Sequence, residues 1–333
     1  MSADPRIGIL GLGAYAPDRV MTNDDWSQYV DTSDEWITER TGIKRRRIAS
    51  DDQSTVDLAV EAGSRALTDA GVEPGEVDEL VVATDTPEAT SPDTAAFVQE
   101  RLGLGEIPSY DLGGSGCAGW VLGLDLARSR AREGRRVLLV GVELLSRLID
   151  WKDRSTCVLF GDAAGAALVG EGDRAARIVS ATAGTDGSRS EILGRRVGGT
   201  RHPFTLEMAQ RGEHVGVQMN GREVFKEAVR RMSAAVHDVL RRAGRALEEV
   251  ALIVPHQANL RIIDAVGRKL RLPDGRVFVN VQDYGNTGSA SVPLALRHAL
   301  DQGRIAPGDL VVLTSFGAGF HWAAALLEFA PGR

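Results

Sequence analysis

The strongest constraint on how this chain can fold is that it repeats itself. Five segments of the first half have counterparts in the second. An opening apolar strand at 7–14 is echoed at 178–185, and a helical pattern over 54–70 by a longer one over 224–243. The buried-strand run 79–84 (ELVVAT) matches 250–255 (VALIVP). The strand, glycine-rich turn and small-residue helix of 110–132 return in that order over 277–300, and 136–142 (RVLLVGV) matches 310–314 (LVVLT). Strands alternating with helical patterns predict an α/β protein. One such unit used twice predicts two halves, 1–172 and 173–333, with a seam near 170–177. Packed face to face, they would bring the ends of equivalent strands into one cleft, where ligand sites collect.

Composition narrows the function classes. The 333 residues are 43% hydrophobic and 26% charged, as expected of a soluble folded chain with substantial cores. A net charge of −7 disfavours a general nucleic-acid binder. Two cysteines, Cys117 and Cys157, form neither a zinc spacing nor a disulfide framework and suit a reducing cytoplasm. The six histidines show no metal-ligand spacing, so we expect no metal. The start MSADPRIGILGLG lacks the basic region and apolar core of a signal peptide. No apolar stretch approaches the roughly 18 residues of a membrane span. The expectation is a cytoplasmic protein.

The stretch 111–123 (DLGGSGCAGWVLG) carries the first candidate for chemistry. A glycine-rich turn places Cys117 where a strand passes into a helix. There the helix dipole and free backbone N–H groups would favour a thiolate and raise its reactivity. The plain alternative is an inert core cysteine, which is our reading of Cys157 in the apolar run 156–169, expected as strand, tight turn and strand. Gly11, Gly13 and Ala16 mimic a dinucleotide fingerprint, with Asp31 or Asp34 as acidic partner. Pro17 follows at once where a helix should open, so that site is refused. The run 32–47 (TSDEWITERTGIKRRR) reads as a helix capped at Thr32 or Ser33 and ending at Gly42. It is either a plain surface helix, or one whose Trp36 and Arg40 face a pocket mouth suited to a base and phosphates.

Aligning the repeats brings three residues to comparable strand ends. They are Cys117, His256 directly after VALIVP, and Asn286 in the turn YGNTGSAS. A further turn, 315–320 (SFGAGF), offers backbone N–H groups free of bulky side chains. A nucleophile, an imidazole, a neutral amide and an amide-lined loop at matching strand ends form a candidate catalytic set. The segment 200–214 yields no assigned structure and is expected as a surface segment over the pocket.

These residues carry a resemblance. GSGCAGW, VPHQANLRIID, YGNTGSASVPLAL and SFGAGFHWAAALLEF, with DTSDEWITERTGIK and MNGREVFK, resemble the β-ketoacyl-acyl carrier protein synthase III family over about residues 8–329. The resemblance implies a thiolase fold, a duplicated αβαβα five-layer architecture, working as a homodimer. It implies that Cys117 takes an acyl group from acyl-CoA. Malonyl-acyl carrier protein then loses CO₂, and its enolate attacks the acyl-enzyme, with His256 and Asn286 as donors to the developing charge. The N–H groups of Cys117 and Ala318 would form the oxyanion hole, although the family commonly has glycine at the latter position. Trp36, Arg40, Arg154 and Asn259 are implied at the CoA channel. Lys226, Arg261, Arg268 and Lys269 are implied as a basic rim for the acidic carrier protein. No cofactor is implied, CoA thioester being a substrate. Arg222 and Trp120 depart from commoner residues. Ser91, near a position that shapes the acyl pocket, is small and would admit primers beyond acetyl. The alternatives are a priming ketosynthase or acyltransferase of a polyketide pathway with the same three residues, and a non-catalytic subunit, which would be expected to lack Cys117.

Overall fold

The computed structural model describes residues 6–172, 176–211, 213 and 216–330. In the first half, apolar runs and capped amphipathic runs give β1 (Ile7–Tyr15), α1 (Asp34–Thr41), α2 (Thr55–Ala70), β2 (Glu79–Ala83), α3 (Thr94–Leu102), β3 (Ser109–Leu112), α4 (Gly119–Ala131), β4 (Val137–Leu144) and β5 (Asp162–Glu171). The second half gives β6 (Ala176–Thr185), α5 (Gly221–Ala243), β7 (Val250–Pro255), α6 (Leu260–Lys269), α7 (Ser291–Asp301), β8 (Leu310–Gly317) and β9 (His321–Glu328). The helix ends follow capping chemistry. Ser54 and Asp57 form a capping box before α2, while Ser33, rather than Thr32, caps α1, which stops at left-handed Gly42.

The strands run in the order β7-β8-β9-β6-β1-β5-β4-β2-β3. Within the first half β2 lies parallel to β3 and β4, and β5 runs antiparallel to β4 and β1. The second half repeats the pattern: β7 is parallel to β8, and β9 is antiparallel to β8 and β6. Among the described residues, the strands of the two sets pair where Gly8 and Ile9 of β1 meet Arg177 and Ala176 of β6.

Alternating side chains of each set feed different cores, because successive strand residues face opposite ways. Val81 and Leu139 pack inward on α4 and α7, together with Leu252, Val254, Val311 and Leu313 from the other set. Leu80, Val82, Leu138 and Val140 pack outward on α2 and α3. Ile253 and Val312 pack outward on α5 and α6. The result is five layers, helix, sheet, helix, sheet, helix, with α4 and α7 in the middle. Gly11 and Gly13 have their reason in this packing and not in a nucleotide. A Cβ at either would lie 2.4 or 2.1 Å from the carbonyl oxygens of Ala66 and Ala62, so bare backbone lets α2 lie on β1.

Several expectations need correction. The 156–169 run is not two strands. Cys157–Leu159 is a 3₁₀ turn, and only β5 is extended. Asp153 takes the Ser155 N–H and the Ser155 and Thr156 hydroxyls, so local side-chain bonding curls the chain there. Cys157 itself is fully buried. Around 277 the expected strand is reduced to a single parallel bridge, Val277 to Ile253. Helix α5 begins three residues before 224, because the Asn220 side chain accepts from Glu223 N. Within 200–214 there is a short helix, Leu206–Gln210; residues 212 and 214 lie outside the described residues. So does the expected boundary, since 173–175 are not described.

Candidate active site

A cavity of about 860 Å³ opens between the two sets of strand ends. Its lining includes half-buried Trp36 and exposed Arg40 and Arg261, and, deeper, half-buried Cys117 with buried His256 and Asn286. Helix α1 is held at this cavity by Ile37, which packs with Trp26, Val158, Phe160 and Ile263.

Cys117 sits in the 3₁₀ turn Gly116–Ala118 that runs into α4. The turn needs its glycines. Gly116 has φ +54°, and a Cβ there would come within 2.5 Å of the Ala318 nitrogen. A Cβ on Gly317 would come within 2.7 Å of the Cys117 nitrogen. Two bare backbones therefore touch, and the N–H groups of Cys117 and Ala318 are brought together.

The thiol of Cys117 donates to Asn286 Oδ1 at 3.8 Å, and that oxygen also accepts from Gly288 N at 2.9 Å. His256 follows β7, its own N–H donating to Thr314 O at 2.8 Å. Its Nδ1 lies 2.5 Å from Ser291 Oγ, which accepts the N–H of Gln257 at 3.4 Å. With the Ser291 hydroxyl donating to Nδ1, the ring proton would sit on Nε2. Burial pushes His256 down to about 3, so the ring is neutral.

Burial opposes the thiolate expected from the helix N-terminus. Burial, then Glu143 and Asp85 once ionised, push Cys117 up to about 12, against the opposing pull of Asn286 and the Cys117 N–H. Desolvation outweighs the dipole. Neither acid was singled out in the sequence. Glu143 is 1% exposed inside β4, and Asp85 follows β2; both line the cavity. A lone acid inside an unbroken apolar strand run was the available signal.

At the outer end, the Arg40 and Arg154 guanidiniums lie 4.4 and 4.6 Å from the centre of the Trp36 ring. Asn259 caps α6 by accepting from Arg261 N and donates to Arg40 O at 3.2 Å. Arg261 in turn donates to Glu39 O at 2.8 Å, tying α6 to α1. Arg268 and Lys269 are exposed in the last turn of α6, and Lys226 is exposed on α5 beside Phe225, which lines the cavity. Ser91 and Arg222 are exposed, while Trp120 is buried with Nε1 donating to Leu139 O at 3.4 Å. Among the described residues no group of three His, Cys, Asp or Glu could hold a metal ion, and no helix is long and apolar enough to cross a membrane.

Comparison with known proteins shows the family. Residues 110–187 match the family described as 3-oxoacyl-[acyl-carrier-protein (ACP)] synthase III, and 240–329 match its C-terminal part. The β-ketoacyl-[acyl-carrier-protein] synthase III of Caldanaerobacter subterraneus is 45% identical over 325 residues, covering 97% of this chain and 98% of the relative. The crystal structure of the Thermus thermophilus β-ketoacyl-[acyl carrier protein] synthase III has a TM-score of 0.89 and 48% identity, covering 98% of this chain and 100% of that one. The priming β-ketosynthase of the R1128 polyketide pathway has a TM-score of 0.88 at 35% identity, covering 100% and 99%. The chain belongs to the β-ketoacyl-[acyl-carrier-protein] synthase III family of thiolase-fold condensing enzymes.

Proposed function

We propose that this protein condenses an acyl-CoA primer with malonyl-acyl carrier protein through an acyl-Cys117 thioester, initiating fatty acid synthesis. The observation that carries the reading is the meeting of Cys117, neutral His256 and Asn286 in one cavity, with no cation among the three. In the first half-reaction Cys117 gives up its proton and its sulfur bonds to the acyl carbonyl. The carbonyl–CoA sulfur bond breaks, and CoA leaves as the thiol. The N–H groups of Cys117 and Ala318 hold the oxyanion.

In the second half-reaction the malonyl C–CO₂ bond breaks and its electron pair becomes an enolate. With Asn286 Oδ1 already taken, its Nδ2 and the Nε2–H of His256 are the donors to the enolate oxygen. A neutral imidazole can donate without first losing a proton to the substrate. The enolate carbon then attacks the acyl-enzyme, and the Cys117 sulfur leaves as a thiolate that takes a proton from solvent to restore the thiol. The 3-oxoacyl product remains on the carrier protein.

Trp36, Arg40, Arg154 and Asn259 are assigned to CoA, and Lys226, Arg261, Arg268 and Lys269 to the carrier protein. The exposure of the four cations, with Arg261 lining the cavity, supports the second assignment. We assign a homodimer, since β3 ends the sheet with one edge unpaired among the described residues. The halves 1–172 and 173–333, a cytoplasmic location and independence from any cofactor belong to the same reading.

The test is intact mass after incubation with acetyl-CoA and, separately, isobutyryl-CoA, beside Cys117→Ser. A gain with acetyl that the variant lacks supports fatty acid initiation. A gain with only the larger primer shifts the reading to branched-chain initiation or a specialised pathway. No gain with either removes it.

A further inference from the structure

Glu143 has no place in the reaction just described, yet it stands behind both Cys117 and Asn286. It is buried in β4, and among the described residues it forms no ion pair. Its Oε1 lies 2.9 Å from Ser289 Oγ, and its Oε2 lies 3.0 Å from Thr86 Oγ1. The Asp85 N–H approaches both oxygens at 3.2 Å.

The protons can be counted. Ser289 Oγ has one hydrogen, and it also lies 2.8 Å from the carbonyl oxygen of Ala83, which can only accept. The hydroxyl cannot donate to both. If it donates to Ala83 O, then Glu143 Oε1 must bring its own proton to Ser289. On the other side, Thr86 Oγ1 accepts from Leu144 N at 2.9 Å and lies 3.3 Å from Thr84 Oγ1; with the Thr84 hydroxyl donating to it, the Thr86 hydrogen goes to the nearer Oε2 at 3.0 Å. Every group is satisfied by one arrangement: Leu144 N–H to Thr86, Thr86 O–H to Glu143, Glu143 O–H to Ser289, Ser289 O–H to Ala83 O. An ionised Glu143 would leave two oxygens facing each other at Ala83 without a proton, at a buried site where an unsatisfied group is costly.

We infer that Glu143 is held as a neutral carboxylic acid whose proton goes to Ser289, positioning the Asn286 turn without placing a charge beside Cys117. The packing supports a positioning role. A Cβ on Gly288 would lie 2.6 Å from Glu143 Cγ, and Gly288 N is the donor that holds Asn286 Oδ1. The groups facing the acid are the Asp85 carboxyl and the Cys117 thiol, with Arg195 and His321 beyond Asp85. Burial and then Asp85 raise Glu143 above the usual carboxylate range. The chemistry gains from neutrality, since both the Cys117 thiolate and the enolate are anions that a nearby carboxylate would oppose.

The decisive measurement needs no substrate, so it fails or succeeds apart from the proposed reaction. In infrared difference spectra of wild type against Glu143→Gln at neutral pH, we expect a protonated-carboxyl C=O band that the variant lacks. Ser289→Ala should move that band to higher frequency by removing its acceptor, which keeps the test open if Glu143→Gln folds poorly. Cys117 alkylation by iodoacetamide is the second readout. Glu143→Gln should stay within about twofold of wild type at neutral pH and pull ahead only at alkaline pH, where the wild-type acid ionises. Glu143→Ala, which loses the donor, should be impaired in condensation, and Glu143→Gln should recover most of that loss. Absence of the band at neutral pH overturns the inference. So does Glu143→Gln alkylation about tenfold faster than wild type at neutral pH, the effect of deleting a full nearby charge.

Discussion

The duplicated fold places two nearly identical turns against each other, and they have gone separate ways. Gly116–Ala118 leads into α4 and Gly288–Ala290 leads into α7; both are 3₁₀, and both open on a glycine with positive φ, +54° and +56°. Cys117 therefore stands in the first half where Ser289 stands in the second. Both side chains sit at the start of a central helix, so both feel its dipole. Cys117 is half-buried against a cavity, while Ser289 is 1% exposed and engaged with Ala83 and Glu143. The contrast teaches that the turn and the dipole do not make a nucleophile. What faces the turn does.

The most severe test of that view moves the nucleophile. Cys117→Ser should abolish acyl-enzyme formation in intact mass. Adding Ser289→Cys to it should restore none, because that position opens onto no substrate. Acylation at position 289 in the double variant would break the comparison. Next in size, His256→Ala or Asn286→Ala should each lower condensation by about 10² to 10³, as loss of one oxyanion donor typically does. Acylation of Cys117 should suffer less than condensation, which separates the donors of the second turn from the nucleophile of the first.

Much of this was legible beforehand, for reasons the two turns illustrate. GCAG and GSAS are similar strings placed at the same point of similar strand–helix runs, so local pattern sufficed to pair them and to align Cys117, His256 and Asn286. The fate of each side chain was not legible. Glu143 and Ser289 are 146 residues apart, and no local pattern ties an acid in RVLLVGVELL to a serine in NTGSAS. The burial that raises Cys117 is also tertiary, whereas the dipole argument that pointed the other way is local. The bend at Cys157–Leu159 was missed because its cause lies in Asp153 side-chain bonds, which compete with β-branched strand propensity.

The glycines test whether the two backbones are equally constrained. Gly116→Ala and Gly288→Ala both force a left-handed residue and a close contact, with backbone at Ala318 in the first case and the Glu143 side chain in the second. Each should lower stability by about 1–3 kcal/mol in denaturant unfolding. Gly116→Ala should also cost acylation, whereas Gly288→Ala should act mainly on condensation through Asn286. Equal loss of both steps in both variants would deny the division between the turns.

The mildest effect separates the local from the tertiary account of Cys117. A dipole-activated thiolate would make iodoacetamide alkylation level off with pH near neutrality. A thiol raised by burial, Glu143 and Asp85 to about 12 should instead gain roughly tenfold in alkylation rate per pH unit through the neutral range, since only the thiolate reacts. The same shift has a sign in stability. The folded protein holds the Cys117 proton more tightly than the unfolded chain. Its contribution is therefore fully present below the ordinary thiol pKa and lost as pH rises towards 12. Cys117→Ser should lessen that alkaline decline, leaving the part from Cys157, which burial also pushes up to about 12, while Ser289→Ala, having no such group to titrate, should leave its slope in place. An alkylation profile already flat at neutral pH would return the activation of Cys117 to the helix N-terminus that the two turns share.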